Sequence, residues 1–154
     1  MEKEQKITPF LWFNGNIAEA IELYTSVFKN TKVHYTNKVG DKIMNAKFEL
    51  EGQVLLALDG GPHFAFTPAI SMFIDCKTQE EIDYYWDNLI ANGGKPSRCG
   101  WLVDKFGLSW QVVPDVLGQL LGDPDPAKAQ RAMNAMLKMD KLDIEALKKA
   151  HAGI

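Results

Sequence analysis

Side chains with reactive chemistry are few in this sequence: three histidines (His34, His63, His151) and two cysteines (Cys76, Cys99). His63 follows Gly60-Gly61-Pro62 and stands beside Phe64 and Phe66. It reads as a general base or polar contact near an aromatic wall, with a surface-loop histidine as the alternative. His34 lies between Val33 and Tyr35 in an alternating segment and is expected to face solvent. His151, in the terminal turn, is expected to be solvated. A nucleophilic Cys99 would need a base or cation to lower its pKa. Arg98 precedes it, but neighbours on a strand point to opposite faces, so Cys99 is read as inert. Trp12, Trp101 and Trp110 offer flat apolar walls for an organic ligand, with core packing as the default for Trp110. No C-x-x-C pair, phosphate-binding loop or dinucleotide-binding glycine fingerprint is present.

The elements that must position these groups follow from hydrophobic spacing. Residues 7–13 are short, aromatic and apolar, as in a strand that tolerates Pro9 near its start. Asn14-Gly15-Asn16 is a turn, and Asn16 with Glu19 is a capping signature. Ile17, Ile21, Tyr24 and Phe28 then recur at helical spacing, which predicts a helix over 17–29. Val33 and Tyr35 predict a half-buried strand, the alternation of Met44, Ala46, Phe48 and Leu50 a second over 43–51, and 54–58 a third, with turns at 39–42 and 51–53. Residues 59–68 carry Gly60, Gly61, Pro62 and Pro68 and form the main linker.

The pattern then recurs. A strand over 70–75 precedes Thr78 and Glu81, a second capping signature. Ile82, Tyr85, Trp86, Leu89 and Ile90 line a helix that Asn92-Gly93-Gly94 ends. Strands are predicted around Cys99, over 101–103 and over 108–113, and Asp104 reads as a turn-former in the last hairpin rather than as an acid. The pairs Asn16/Thr78, Glu19/Glu81 and Tyr24/Trp86 are each 62 residues apart, whereas the turn glycines Gly52 and Gly107 are 55 apart. The order β-α-β-β-β thus occurs twice, over 7–61 and 69–114. Residues 115–154 form a helical tail, with an N-cap and N1 proline at Asp125-Pro126 and a second start at Asp143. Its Met-rich faces are expected to pack on the sheet or on a second subunit.

These 154 residues hold one domain, an α+β fold of two βαβββ modules plus C-terminal helices. A net charge of −3 gives no electrostatic case for nucleic acid or anionic membrane. The mixed-charge start Met1-Glu2-Lys3-Glu4-Gln5-Lys6 lacks the apolar core of a signal peptide, and no apolar run could cross a bilayer. With two unpatterned cysteines, a cytoplasmic location is expected.

Paired βαβββ modules resemble the vicinal oxygen chelate superfamily of glyoxalase-like, bleomycin-resistance-like and dioxygenase proteins. The likeness extends to its PhnB-like group, labelled 3-demethylubiquinone methyltransferase-like. Ile7-Thr8-Pro9-Phe10-Leu11-Trp12-Phe13, with Ala18-Glu19-Ala20 and Tyr24, is similar to the group's start. Cys99-Gly100-Trp101-Leu102-Val103-Asp104-Lys105-Phe106-Gly107-Leu108-Ser109-Trp110-Gln111-Val112-Val113-Pro114 resembles its most distinctive stretch. The tail, Ala132-Met133 and 142–147, is similar as well, so the likeness covers residues 7 to about 150.

The resemblance implies a cupped mixed sheet around a pocket, a homodimer, and in many members a divalent metal held by four His, Glu or Gln side chains. Carried over by spacing, those four positions fall on Pro9, Leu56, Ser71 and Gln111. Proline and leucine have no donor atoms, serine is a poor ligand and glutamine a weak neutral one, so no metal or other cofactor is expected; a divalent metal has no support at these positions.

Three readings of function compete. The leading one is a protein that binds a small organic ligand in an aromatic-lined cup through Trp12, His63, Ser71, Trp101 and Gln111. The second is a glyoxalase- or dioxygenase-type enzyme on a small oxygenated substrate, using His63, Ser71 or Gln111. The third is a partner-binding protein built on the tail, which we read instead as part of a symmetric homodimer. The chain has no room for the nucleotide-binding sheet of an S-adenosylmethionine methyltransferase.

Overall fold

The computed structural model describes residues 4–154, so the first three residues of the charged N-terminal segment lie outside the described residues. The chain divides into two compact units between Phe66 and Thr67. Each unit contains one four-stranded mixed sheet and one long helix, and the second also carries the tail.

The first unit runs β1 (Phe10–Phe13), α1 (Ile17–Val27), β2 (Thr31–Val39), β3 (Lys42–Leu50) and β4 (Gln53–Asp59). The sheet order is β1-β4-β3-β2, with β1 parallel to β4 and the others antiparallel. One face is built for the helix: Leu11, Phe13, Ala46, Phe48, Leu55 and Ala57 are buried, as are Ile17, Ala20, Ile21, Tyr24 and Val27 of α1. Each large apolar side chain buried there contributes about 1.5–3 kcal/mol. The β3–β4 turn has positive φ at both central residues, Glu51 (49°) and Gly52 (85°), as a two-residue hairpin requires. Glu51 is no glycine, but its carboxylate accepts the backbone N–H of Lys29 (3.0 Å) and Asn30 (3.2 Å), which offsets the strain.

The second unit repeats this order with β5 (Ser71–Cys76), α2 (Gln79–Ile90), β6 (Lys95–Pro96), β7 (Trp101–Val103) and β8 (Ser109–Pro114). Its sheet order, β5-β8-β7-β6, matches the first strand for strand, and β5 is parallel to β8. Cys76, Leu102, Trp110 and Val112 are buried, as are Ile82, Tyr85, Trp86 and Leu89 of α2, which packs on this sheet.

Several expectations are corrected. The first strand starts at Phe10 rather than residue 7, because Pro9 offers only its carbonyl, to Leu56 N–H at 3.0 Å. Thr78 caps α2, accepting from Glu81 N–H at 3.1 Å, but the Asn16 side chain does not cap α1 and its Oδ1 has no partner among the described residues. β2 is an edge strand with no buried residue, so Val33 and Tyr35 are exposed rather than half-buried. No strand forms around Cys99: it sits at φ 60°, in a turn, and the strand before β7 is Lys95–Pro96 instead. His151 is not solvated; its Nε2 lies 2.8 Å from Asp123 Oδ2.

The tail contains three helices, α3 (Val116–Leu121), α4 (Pro126–Met136) and α5 (Ile144–Ala152). The first escaped the sequence reading because it is six residues long, contains Gly118 and has no side-chain cap. The tail encloses a core of its own: Val113, Leu117, Leu120, Ala132, Leu142 and Leu147, with Met136 and Met139 packed against it. Its attachment to α2 runs through Gln79, whose amide donates to Leu142 O (3.0 Å) and Asp83 (3.1 Å) while its oxygen accepts Ile144 N–H (2.9 Å). Lys141 adds a 3.1 Å ion pair to Asp83, whose carboxyl is held below its usual range by Gln79 first and Lys141 second. Removing the amide leaves a backbone carbonyl and N–H unmet, at about 1–3 kcal/mol. Gln79→Ala is therefore expected to speed hydrogen exchange of the α5 amides at least tenfold while leaving those of β3 and β4 unchanged, as measured by mass spectrometry.

Candidate functional site

Each helix covers one face of its sheet, and strand register determines what the other face presents. In the second unit the face opposite α2 carries two rows. Phe73, Gln111 and Trp101 are paired in register across β5, β8 and β7, and Ser71, Ser109 and Val103 form the next row. Gln111 and Ser71 meet diagonally: the Gln111 amide donates to Ser71 Oγ at 2.9 Å. Both are half-buried, Phe73 is 59% exposed, and Ser109 is buried with no partner for its hydroxyl among the described residues. The pair thus keeps a glutamine oxygen and a serine hydrogen for something else, between two aromatic side chains.

In the first unit the face opposite α1 also carries two rows. One is Phe10, Leu56, Lys47 and Tyr35; the other is Trp12, Leu58, Asn45 and Asn37. Asn37 donates to Asn45 Oδ1 at 2.7 Å. Trp12 is clamped by the loop that follows β4. Its indole N–H donates to Gly61 O at 2.9 Å, and Phe64 meets its ring edge-on at 5.0 Å. Gly60 lies so close that a Cβ there would sit 2.2 Å from the indole.

Of the five residues singled out from sequence, Ser71, Trp101 and Gln111 come together in the second unit. Trp12 and His63 belong to the first. His63 is exposed in the loop after Gly61, and no described residue hydrogen-bonds its ring. Sequence reasoning missed Phe73, Ser109, Lys47 and Asn45. The signal that finds them is register, since alternation alone does not say which residues lie opposite one another.

Register also revises the spacing that links the halves. Leu11 pairs with Ala57 as Ile74 pairs with Val112, so the first strands are offset by one residue more than the helix starts. The cause is the connection into the helix, Asn14-Gly15-Asn16 in one unit and Lys77-Thr78 in the other. Pro9 and Ser71 are therefore not counterparts: by strand register Ser71 corresponds to Thr8, and the counterpart of Phe10–Leu56 is Phe73–Gln111.

Among the described residues no group of three or more His, Cys, Asp or Glu side chains converges to hold a metal ion. The donor set at the implied positions does not fit a divalent cation either. Leu56 faces Phe10, and the Gln111 amide is turned to Ser71. The buried groups elsewhere are structural. Asp104 accepts from Phe106 N–H, Leu108 N–H and the Trp110 indole at 2.9, 3.1 and 2.9 Å, which makes it a turn-former that also holds Trp110 in the core.

Burial, then the charges of Glu81 and Asp75, push the Cys76 thiol up from 9.0 to about 12. Below 9 the thiol is neutral folded or unfolded. Between 9 and 12 only the unfolded chain ionises, so this group lowers stability as pH rises through that window. Iodoacetamide at pH 8 is expected to leave Cys76 unmodified in the folded protein and to alkylate it in urea. Gly60→Ala is expected to displace the Trp12 indole, lowering stability by about 1–3 kcal/mol and shifting tryptophan emission.

The comparisons agree with this geometry. The family model described as 3-demethylubiquinone-9 3-methyltransferase matches residues 5–113, so the tail's resemblance is not carried by it. The PhnB protein of Bacillus cereus, which bears the same methyltransferase description marked as unproven, is 33% identical over 71% of this chain and 99% of its own, with a TM-score of 0.66. Two more distant structures share the fold. The fosfomycin resistance protein FosX of Listeria monocytogenes, in complex with Mn(II) and sulfate, is 12% identical over 70% of this chain and 90% of its own, TM-score 0.51. A glyoxalase-related enzyme from Fulvimarina pelagi is 13% identical over 73% and 91%, TM-score 0.51. No curated protein matches the chain. With paired βαβββ units, one parallel strand pair closing each, and a family match across both, the chain belongs to the PhnB-like, 3-demethylubiquinone-9 3-methyltransferase family.

Proposed function

We propose that this protein binds a small oxygenated organic ligand on the helix-free faces of its sheets, without the four-ligand metal centre of its superfamily. The observation that carries this reading is the Ser71–Gln111 pair at 2.9 Å, flanked in register by Phe73 and Trp101. Aromatic side chains suit the flat part of a ligand. The amide oxygen, the second amide hydrogen and the serine hydroxyl suit its carbonyl or hydroxyl groups. In this reading Trp12 forms part of an aromatic wall and His63 borders it. Methyl transfer from S-adenosylmethionine finds no support in two short mixed sheets that each hold a single parallel pair. No helix among the described residues is long and apolar enough to cross a membrane. We read the assembly as a homodimer in the cytoplasm.

A neutral aromatic ketone, 2-acetylnaphthalene, followed by tryptophan fluorescence, tests the reading. Wild-type protein is expected to bind it, and Gln111→Leu to weaken binding about tenfold, the value of one or two hydrogen bonds. Naphthalene, which has no oxygen, is expected to bind both proteins alike, and EDTA to leave every affinity unchanged. Equal ketone affinity in wild type and variant would reject the role of Gln111, and loss of binding with EDTA would reject the metal-free site. Light scattering on the same samples is expected to give twice the 17.3 kDa chain mass.

A further inference from the structure

The helix-free face of the first unit is apolar on two of its four strands, with Phe10, Trp12, Leu56 and Leu58 side by side on β1 and β4. On β3 and β2 the same face carries Lys47, Lys32 and Lys38, and of these three only Lys47 is drawn in from solvent. Lys47 stands on β3 between Leu56 and Tyr35 in the same cross-strand row. It is half-buried, and no hydrogen bond or ion pair of its ammonium is found among the described residues. The nearest acid on its own strand and face, Glu49, is occupied by His34 at 3.1 Å.

Most cations elsewhere that are drawn in from solvent have partners. Lys141 is paired with Asp83 and Asp87, and Arg131 with the carbonyls of Ala150 and His151. The half-buried side chain lays its stem on the sheet and brings a charge to the edge of the apolar strands, with no anion from the described residues to match it. The charge stands next to Leu56 at the margin of the apolar strands, in a chain whose net charge is −3.

The geometry points to an anionic ligand: a small, flat, apolar molecule with a carboxylate-type group, its body on Phe10, Leu56 and Leu58 and its anion on Lys47. Two neighbours suit the same end of such a molecule. Tyr35 lies beside Lys47 in the row, and Asn45 lies one row away on the same strand and face. The phenol and the amide each provide a donor that can reach an oxygen of the anion, and the ammonium supplies the charge. This inference rests on the reading that the helix-free faces carry ligand, and it adds the sign of the ligand's charge and the residue that senses it.

The test compares 2-naphthoate with its neutral analogue 2-naphthamide, titrated into wild type, Lys47→Met and Lys47→Arg. Wild type is expected to prefer the carboxylate at least tenfold, with a preference that shrinks as salt is raised. Lys47→Met should abolish the preference while leaving naphthamide affinity unchanged, and Lys47→Arg should keep most of it. An unchanged naphthamide affinity in Lys47→Met also shows that the variant is folded. If wild type binds both probes equally, or Lys47→Met retains the preference, the inference about charge is overturned while the ligand-binding reading stands. If neither probe binds wild type, both are overturned.

Discussion

Everything described above depends on the parallel pairing of the first and last strand in each unit, β1 with β4 and β5 with β8. The remaining strand pairs join neighbours in sequence. This one closes a loop of about forty residues and costs chain entropy accordingly. What it returns is the seat for the helix: Leu11 and Phe13 bury themselves beside Leu55 and Ala57 only when β1 lies along β4. The same pairing carries the rows of the open faces, since Gln111 faces Phe73 and Leu56 faces Phe10 through these ladders. One contact therefore builds the core on one side of the sheet and the candidate site on the other.

The two units share this frame but have diverged on the open side. The second has a hydrogen-bonded Ser71–Gln111 pair where strand register gives the first unit Thr8 and Leu56. The first instead has a lysine, two asparagines and an indole clamped by its own loop. In the second unit, the turn before β7 also holds the tail. Cys99 and Gly100 donate their backbone N–H groups to Met139 O and Asp140 O at 2.8 Å each. Gly100 has φ 86° and passes so near Val112 O and Leu142 that a Cβ would meet them at 2.9 and 3.0 Å. The family match ends where this tail begins, yet the tail is attached at two places by groups within the matched region, Gln79 and this turn.

Much of the architecture was legible in the sequence because it depends on local signals. Ile17 to Val27 shows helical spacing, Thr78 is a true cap, and the turns at Gly52 and Gly107 sit where hairpins need positive φ. What was not legible depends on distant partners. Cys99 looks like a strand residue until its N–H is seen bound to the tail, 40 residues away. His151 looks solvated until Asp123 meets it. Within the candidate site, Ser71 and Gln111 were visible through family spacing, but Phe73, Lys47 and Asn45 gain meaning only from the residues opposite them.

The extra residue in Asn14-Gly15-Asn16, relative to Lys77-Thr78, bears on how such a duplicated protein changes over time. Side chains alternate across a strand, so a single inserted codon before the helix lets a strand slide by one position and exchange its inward and outward residues. Here the connection has absorbed the extra residue instead: Leu11 and Ile74 still face their helices, and Phe10 and Phe73 still face away. The open faces of the two halves therefore differ by residue type at matched positions, as at Leu56 and Gln111, while the longer connection leaves the repeat intact.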